Sequence, residues 1–264
     1  MKIGVAGASG RMGQVLVRAV LGHDDLTLAG ANERAGSPHL GSDAARVAGL
    51  DPVGVTIAEG AAAFADCEAV LDFTAGGASA VLASELVEMG VAHIIGSTGF
   101  SAEDDAAIAD AAQRIPIVQS GNMSLGVNLL AVLVRQAARA LPEADIEVVE
   151  MHHRRKVDAP SGTALLLGHA AAAGRDVPLD DVALYAREGH TGPRVPGTIG
   201  FATLRGGTVV GDHDVILALD GERIRLGHIG EDRSIYANGA LKAALWCQGR
   251  APGHYAMADV LGLG

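Results

Sequence analysis

Apolar residues recur through the first 120 positions in short runs, each closed by glycine or by a polar turn. Residues 2–6 read as a buried strand, and 12–20 carry apolar positions at helical spacing. Strand patterns follow at 26–31, 53–57, 69–73, 93–95 and 115–119, with helical patterns at 79–89 and 101–114. Ser101 followed by Glu103, Asp104 and Asp105 is good helix-start chemistry. Strand alternating with helix predicts a doubly wound parallel sheet with helices on both faces. After about residue 122 the rhythm changes. A long apolar helix spans 125–140, a strand spans 145–151, and a second helix begins near Ser161. Residues 198–229 alternate as short strands, with turn signals at Gly206-Gly207 and Asp220-Gly221. Helical pattern returns at 239–248. The expectation is an α/β chain of two domains. Residues 1–122 form the doubly wound one. Residues 123–235 form an α+β one with a mostly antiparallel or mixed sheet, and 236–264 pack back on the first.

Composition narrows what such a chain does. Its 264 residues are 49% hydrophobic, so two modest cores can be buried. Aromatics are 3%, which leaves the packing to Ala, Val, Leu and Ile. The net charge of −11 disfavours nucleic acid as a partner. No uninterrupted apolar stretch reaches the roughly 18 residues of a membrane span. Cys67 and Cys247 lie far apart and match no metal spacing, so no metal and no disulfide framework is expected. Together with an N-terminus that enters a strand at once, this suits a cytoplasmic protein.

The first turn carries candidate chemistry. Gly7, Ala8, Ser9, Gly10, Arg11, Met12 and Gly13 join the first strand to the first helix, with glycines spaced G-x-x-G-x-x-G. That is one residue wider than the usual dinucleotide fingerprint. The physics is the same: glycine lets the backbone approach a pyrophosphate, and the helix points free N–H groups at it. A bare glycine turn is weak evidence, but this one follows a strand, opens a helix and begins an alternating unit, as in a Rossmann domain. Glu33 stands about 20 residues on, where an acid hydrogen-bonds ribose hydroxyls. Arg34 beside it can pair with a 2′-phosphate, so the two suggest tolerance of NADH or NADPH. The alternative is a pair of solvated charges. Gly96, Ser97 and Thr98 close one strand, and Ser120, Gly121, Asn122 and Met123 close another. Both segments are candidates for the nicotinamide pocket, or are plain loops.

A second cluster lies in EMHHRRKVDAPSGTA at 150–164. Five consecutive residues, His152 to Lys156, can be cationic in an acidic chain. They run into a helix start capped by Ser161. Cations beside a helix N-terminus make a site for a small molecule with more than one carboxylate. His152 and Lys156 are natural proton donors to balance a hydride. In an extended strand His152, Arg154 and Lys156 share one face, until the strand ends.

These two segments together resemble the 4-hydroxy-tetrahydrodipicolinate reductase (dihydrodipicolinate reductase) family. GVAGASGRMG, HHRRKVDAPSGTA, GSTGF at 96–100, GNMSLGVN at 121–128, RGGTVVGDHDV at 205–215 and NGALKAALW at 238–246 carry the resemblance over nearly the whole chain. It implies a homotetramer that uses NADH or NADPH to reduce a cyclic imine-type dicarboxylate, with loss of water, in lysine and diaminopimelate synthesis. It implies that Gly7 to Met12 hold pyrophosphate, that Glu33 and Arg34 take the adenosine ribose or its phosphate, and that Gly96, Ser97, Thr98 and Ser120 to Met123 line the nicotinamide side. It makes His152 a proton donor/acceptor and Lys156 a second proton donor. His153, Gly162 and Thr163 become substrate-carboxylate contacts. Ser9 and Ser97 depart from the residues common in the family, Gly and Thr. The rival readings are another two-domain reductase and a non-catalytic dinucleotide sensor; neither explains the 152–163 segment.

Overall fold

A computed structural model describes residues 1–263. The chain divides into two compact units, one of Met1–Ser124 with Ser234–Gly262 and one of Leu125–Arg233.

The first unit begins with β1 (Lys2–Ala6), α1 (Arg11–Leu21), β2 (Thr27–Glu33), α2 (Ala44–Val47) and β3 (Ile57–Glu59). It continues through a 3-10 turn at Ala61–Phe64, β4 (Ala69–Asp72), α3 (Gly76–Val87), β5 (Ala92–Ile95), α4 (Ala102–Ala111) and β6 (Pro116–Gln119). β4 and β5 are buried at every position, as parallel strands covered on both faces must be. Ser101 and Asp104 cap α4 reciprocally, as the sequence predicts.

One expected strand is displaced. Residues 53–57 do not form it; β3 starts only at Ile57. The carboxylate of Asp43 explains the shift, because it accepts N–H groups from Arg46 (3.0 Å), Val53 (3.1 Å) and Gly54 (2.7 Å). Residues 53–54 therefore wrap around a side chain instead of joining the ladder.

The second unit holds α5 (Leu125–Ala140), β7 (Asp145–His152), α6 (Gly162–Gly174), α7 (Leu179–Val182), β8 (Ala183–Leu184), β9 (Ile199–Arg205), β10 (Gly211–Leu219) and β11 (Glu222–Gly230). Its sheet runs β11-β10-β7-β9-β8. β10 pairs antiparallel with β11 and β7, while β9 pairs parallel with β7 and β8, so the sheet is mixed. Every second residue of β7 is buried: Ile146, Val148, Glu150 and His152. Ile146 and Val148 join Val215, Leu217, Ile199 and Phe201 in a core completed by Leu130 and Val134 of α5 and Leu167 of α6. The same buried face turns polar at one end, where Glu150, His152 and His213 lie.

The chain returns to the first unit with α8 (Ser234–Cys247), β12 (Gly253–Tyr255) and α9 (Met257–Val260). β12 pairs parallel with β6 and completes a seven-stranded sheet, β12-β6-β5-β4-β1-β2-β3. The order winds outward in both directions from β1 and β4. The ligand crevice of such sheets opens at the carboxyl ends of the strands beside that switch point. No helix among the described residues is long and apolar enough to cross a membrane.

Candidate active site

The glycine turn sits at the carboxyl end of β1. Gly7 takes the left-handed conformation (φ 61°), and a Cβ on Gly13 would stand 2.1 Å from the carbonyl oxygen of Gly7. Turn and helix start therefore close on each other without side chains between them. Gly10 caps α1 with no side-chain hydrogen bond, so no side chain competes for the N–H groups of the first turn. Arg11 is exposed and Met12 half-buried in that turn.

Glu33 ends β2 and reaches back to the turn. One carboxylate oxygen accepts the Ser9 hydroxyl (2.6 Å) and the Ser9 N–H (3.1 Å). Its second oxygen accepts the Arg34 N–H (3.3 Å). Beside it opens a cavity of about 530 Å³ lined by Gly7, Glu33, Arg34, Glu59, Thr74 and Glu85, among others. A cleft of this size, with Gly7 in its wall and Glu33 and Arg34 on its lining, fits an adenosine ribose. Arg34 is exposed at its rim.

The segments after β5 and β6 lie together. The methyl of Thr98 is 3.9 Å from where a Cβ on Gly121 would stand. Gly96 is half-buried and Thr98 exposed, while Ser97 is buried and occupied internally. Its hydroxyl accepts from Ser79 (2.7 Å) and donates to Asp72 (3.5 Å). Asp72 also takes the N–H (2.8 Å) and hydroxyl (2.6 Å) of Thr74 and pairs with His93 (3.1 Å). Burial would raise its carboxyl, but His93 and Thr74 outweigh that and hold it below its ordinary range. Ser97 is thus a prop that ties its loop to β4. Ser120 ties its own loop by donating to the Asn122 carbonyl (2.7 Å). Asn122 and Met123 are buried, and Gly121 is exposed.

In the second unit, His152 is the last residue of β7. The strand ends there, so Arg154 and Lys156 leave the shared face that extended geometry predicted. Lys156 closes a turn on His153 through its N–H (3.0 Å), and Arg154 and Arg155 point to solvent. The Lys156 ammonium pairs with Asp158 at 2.7 Å. Its charge also opposes protonation of His152. His153 is half-buried, with a buried Nδ1 that has no partner among the described residues. Ser161 caps α6 by accepting from Ala164 (3.1 Å), which sets Gly162 and Thr163 in the first turn of that helix.

Residues outside the sequence expectation complete this end of the sheet. Glu150 accepts two hydrogen bonds from Arg205 (2.8 and 2.9 Å), one from the Ser161 N–H (3.1 Å), and faces His152 Nδ1 at 2.6 Å. Burial pushes its carboxyl up, but Arg205 and His152 win and hold it below the usual carboxylate range. His213 lies edge-on to His152, ring centres 5.1 Å apart, with Nε2 3.2 Å from the Ser161 hydroxyl. Burial drives the imidazole of His213 down to about 4. The signal for Glu150 was present in the alternation of β7, since it stands two residues before His152. Arg205 and His213 arrive through strand register, which no local pattern reveals.

Comparison with known proteins agrees with both units. The profile described as dihydrodipicolinate reductase, N-terminus, matches residues 1–123, and that described as dihydrodipicolinate reductase, C-terminus, matches 126–261. A 4-hydroxy-tetrahydrodipicolinate reductase of Chelativorans sp. (strain BNC1) is 58% identical over 265 residues, covering 99% of this chain and 96% of the relative. The enzyme of that name from Brucella melitensis is 58% identical over 266 residues, covering 100% and 99%. Among solved structures, the dipicolinate-bound dihydrodipicolinate reductase of Paenisporosarcina sp. TG-14 has the same fold, with a TM-score of 0.78 at 19% identity and 98% of each chain covered. An amine dehydrogenase of Mycobacterium smegmatis shares the fold more loosely, with a TM-score of 0.65 at 13% identity, covering 97% of this chain and 95% of its own.

Proposed function

The chain belongs to the dihydrodipicolinate reductase family, and on that footing we propose that it reduces 4-hydroxy-tetrahydrodipicolinate to tetrahydrodipicolinate with NADH or NADPH, releasing water, in lysine and diaminopimelate synthesis. The observation that carries the substrate reading is the polar end of the second unit's sheet. There Glu150 accepts the N–H of Ser161, the cap of α6, and faces His152 Nδ1, while the charge of Lys156 reaches the same imidazole. The reduced nicotinamide, when bound, supplies a hydride. The chain's own groups must supply the matching proton, hold the carboxylates and exclude water.

In this reading Gly7, Ala8, Ser9, Gly10, Arg11 and Met12 take the pyrophosphate, and Glu33 with Arg34 takes the adenosine ribose. Gly96, Ser97 and Thr98 with Ser120, Gly121, Asn122 and Met123 form the nicotinamide side. Ser97 acts through its backbone, because its hydroxyl is already engaged. His152 and Lys156 handle protons. His153 and the N–H groups of Gly162 and Thr163 receive substrate carboxylate, as a helix start does for an anion. Residues 1–122 with 236–264 then make the dinucleotide domain, and 123–235 the substrate and assembly domain. We further propose a cytoplasmic homotetramer. The buried free cysteines Cys67 and Cys247 fit a reducing compartment. Leu204 and Ile229, exposed at 49% and 73% on strands of the second sheet, fit a subunit contact.

The test is direct. Purified protein oxidises NADH or NADPH only when 4-hydroxy-tetrahydrodipicolinate is supplied. Absence of oxidation with either cofactor overturns the substrate assignment. Elution of the purified protein as a monomer overturns the assembly.

A further inference from the structure

We propose that Glu150, held by Arg205, is the positioning residue for His152, fixing the ring so that Nε2 is the nitrogen that gains and loses the proton, in a space kept open by Gly211. This rests on the reading of His152 as a proton-handling group.

The argument begins with the carboxylate. Glu150 is 1% exposed, and both its oxygens are covered by donors: two Arg205 nitrogens, the Ser161 N–H and His152 Nδ1. A buried carboxylate paired bidentately with a guanidinium stays ionised and can only accept. Nδ1 of His152 must therefore carry the hydrogen in the 2.6 Å contact. Among the described residues Nε2 has no protein partner, so it alone is left to exchange a proton. The same logic orients a histidine in metal sites and catalytic triads, where a carboxylate on one nitrogen sets the task of the other.

The opposite side of the ring is also prepared. A Cβ on Gly211 would lie 3.0 Å from His152 Nε2, 3.4 Å from His152 Cδ2 and 3.3 Å from His213 Cε1. Any side chain there presses on both imidazoles. Gly211 is buried and opens β10, so the space is fixed by the sheet itself.

The charged and titratable groups around His152 come from four elements. Glu150 lies on its own strand and Lys156 in the turn that follows. Arg205 comes from β9, and His213 from β10. Burial leads in pulling the His152 imidazole below its ordinary value, the carboxylate of Glu150 pulls it up, and Lys156 and Arg205 oppose its charge. Glu150 and Arg205 thus act on His152 with opposite sign.

The experiment follows the His152 ring by NMR titration of the full-length protein, with the resonance assigned through His152→Asn. Glu150→Gln should lower the midpoint, because the carboxylate that favours imidazolium is gone. Arg205→Gln should raise it, because an opposing cation is gone. The His152 limb of kcat against pH should move the same two ways. Turnover of Glu150→Gln should fall by about 10–100-fold or more, 10–100-fold being the cost of losing the partner that orients a metal-ligating histidine, with KM little changed and Glu150→Asp partly restoring it. A general loss of structure scales activity without moving the two limbs apart. Midpoints that stay put, or move together, overturn the proposal. If either neutral variant fails to fold, Gly211→Ala reads the same arrangement. It should cut turnover while leaving NADH binding intact, and unchanged turnover there overturns the proposal. Failure of the wild-type protein to reduce the substrate would sink the proposed function but leave the titration readable.

Discussion

The Ser9 hydroxyl donates to Glu33 at 2.6 Å, tying the glycine turn to the end of β2. The carboxylate is thereby fixed beside the cavity where a ribose would lie. Glu59 and Glu85 line the same cavity, and among the described residues Arg34 is the one cation lining it against these three acids. A 2′-phosphate meets a net negative wall there. Read as sequence, the neighbouring Glu33 and Arg34 suggest tolerance of both cofactors and set no preference, but the geometry favours NADH. NADH should therefore show the higher kcat/KM. Ser9→Ala removes the side-chain tether on Glu33 and leaves that oxygen only the Ser9 N–H. The less firmly held carboxylate should narrow the preference for NADH. Higher efficiency with NADPH in the wild type, or an unchanged ratio in Ser9→Ala, contradicts this.

Lys156 is the second proton-handling candidate, and its ammonium is held by Asp158 at 2.7 Å. Lys156→Ala should cost about 10²–10⁴-fold in turnover, the range for losing a general acid. Its position in the second unit predicts that NADH binding, measured by fluorescence titration, is retained. Wild-type turnover in the variant removes Lys156 from the chemistry.

His213 makes acid stability testable. Burial, with a smaller contribution from the charge of His152, sets its folded value at about 4 against 6.5 for the free side chain. Between those values the unfolded chain binds a proton that the folded chain does not, so stability rises with pH across this window. The contribution is complete above 6.5 and is lost as pH falls towards 4. At 1.36 kcal/mol per unit this amounts to about 3 kcal/mol. Urea unfolding at pH 7 and at pH 4.5 should show a smaller drop for His213→Gln than for wild type. Equal drops would mean that His213 is not what acid attacks.

Local sequence carried much of this molecule. β1, the glycine turn and Glu33 are legible because strand, turn and helix follow one another within 33 residues. The helix 125–140 is legible because one continuous apolar stripe defines it, and the Ser161 cap because its hydroxyl acts on a neighbour three residues on. What stayed hidden depends on partners far along the chain. Asp43 bends residues 53–54 out of a strand from ten residues away. β12 has little pattern of its own and exists through pairing with β6. Arg205 reaches Glu150 across 55 residues through strand register. The buried set of Asp72, Ser79 and Ser97, with Thr74 hydrogen-bonded to it from the surface, looks like ordinary loop polarity until the strands converge.

The return of α8 and β12 to the first unit has a consequence for synthesis. A ribosome must deliver all of Leu125–Arg233 before the helix that packs on α1, β4 and β5 can emerge. Until then β6 is an open sheet edge, the feature that invites pairing with another nascent chain. A message cut short before Ser234 should therefore yield a chain with β6 as an open edge, and aggregation of that fragment on gel filtration is the expected outcome.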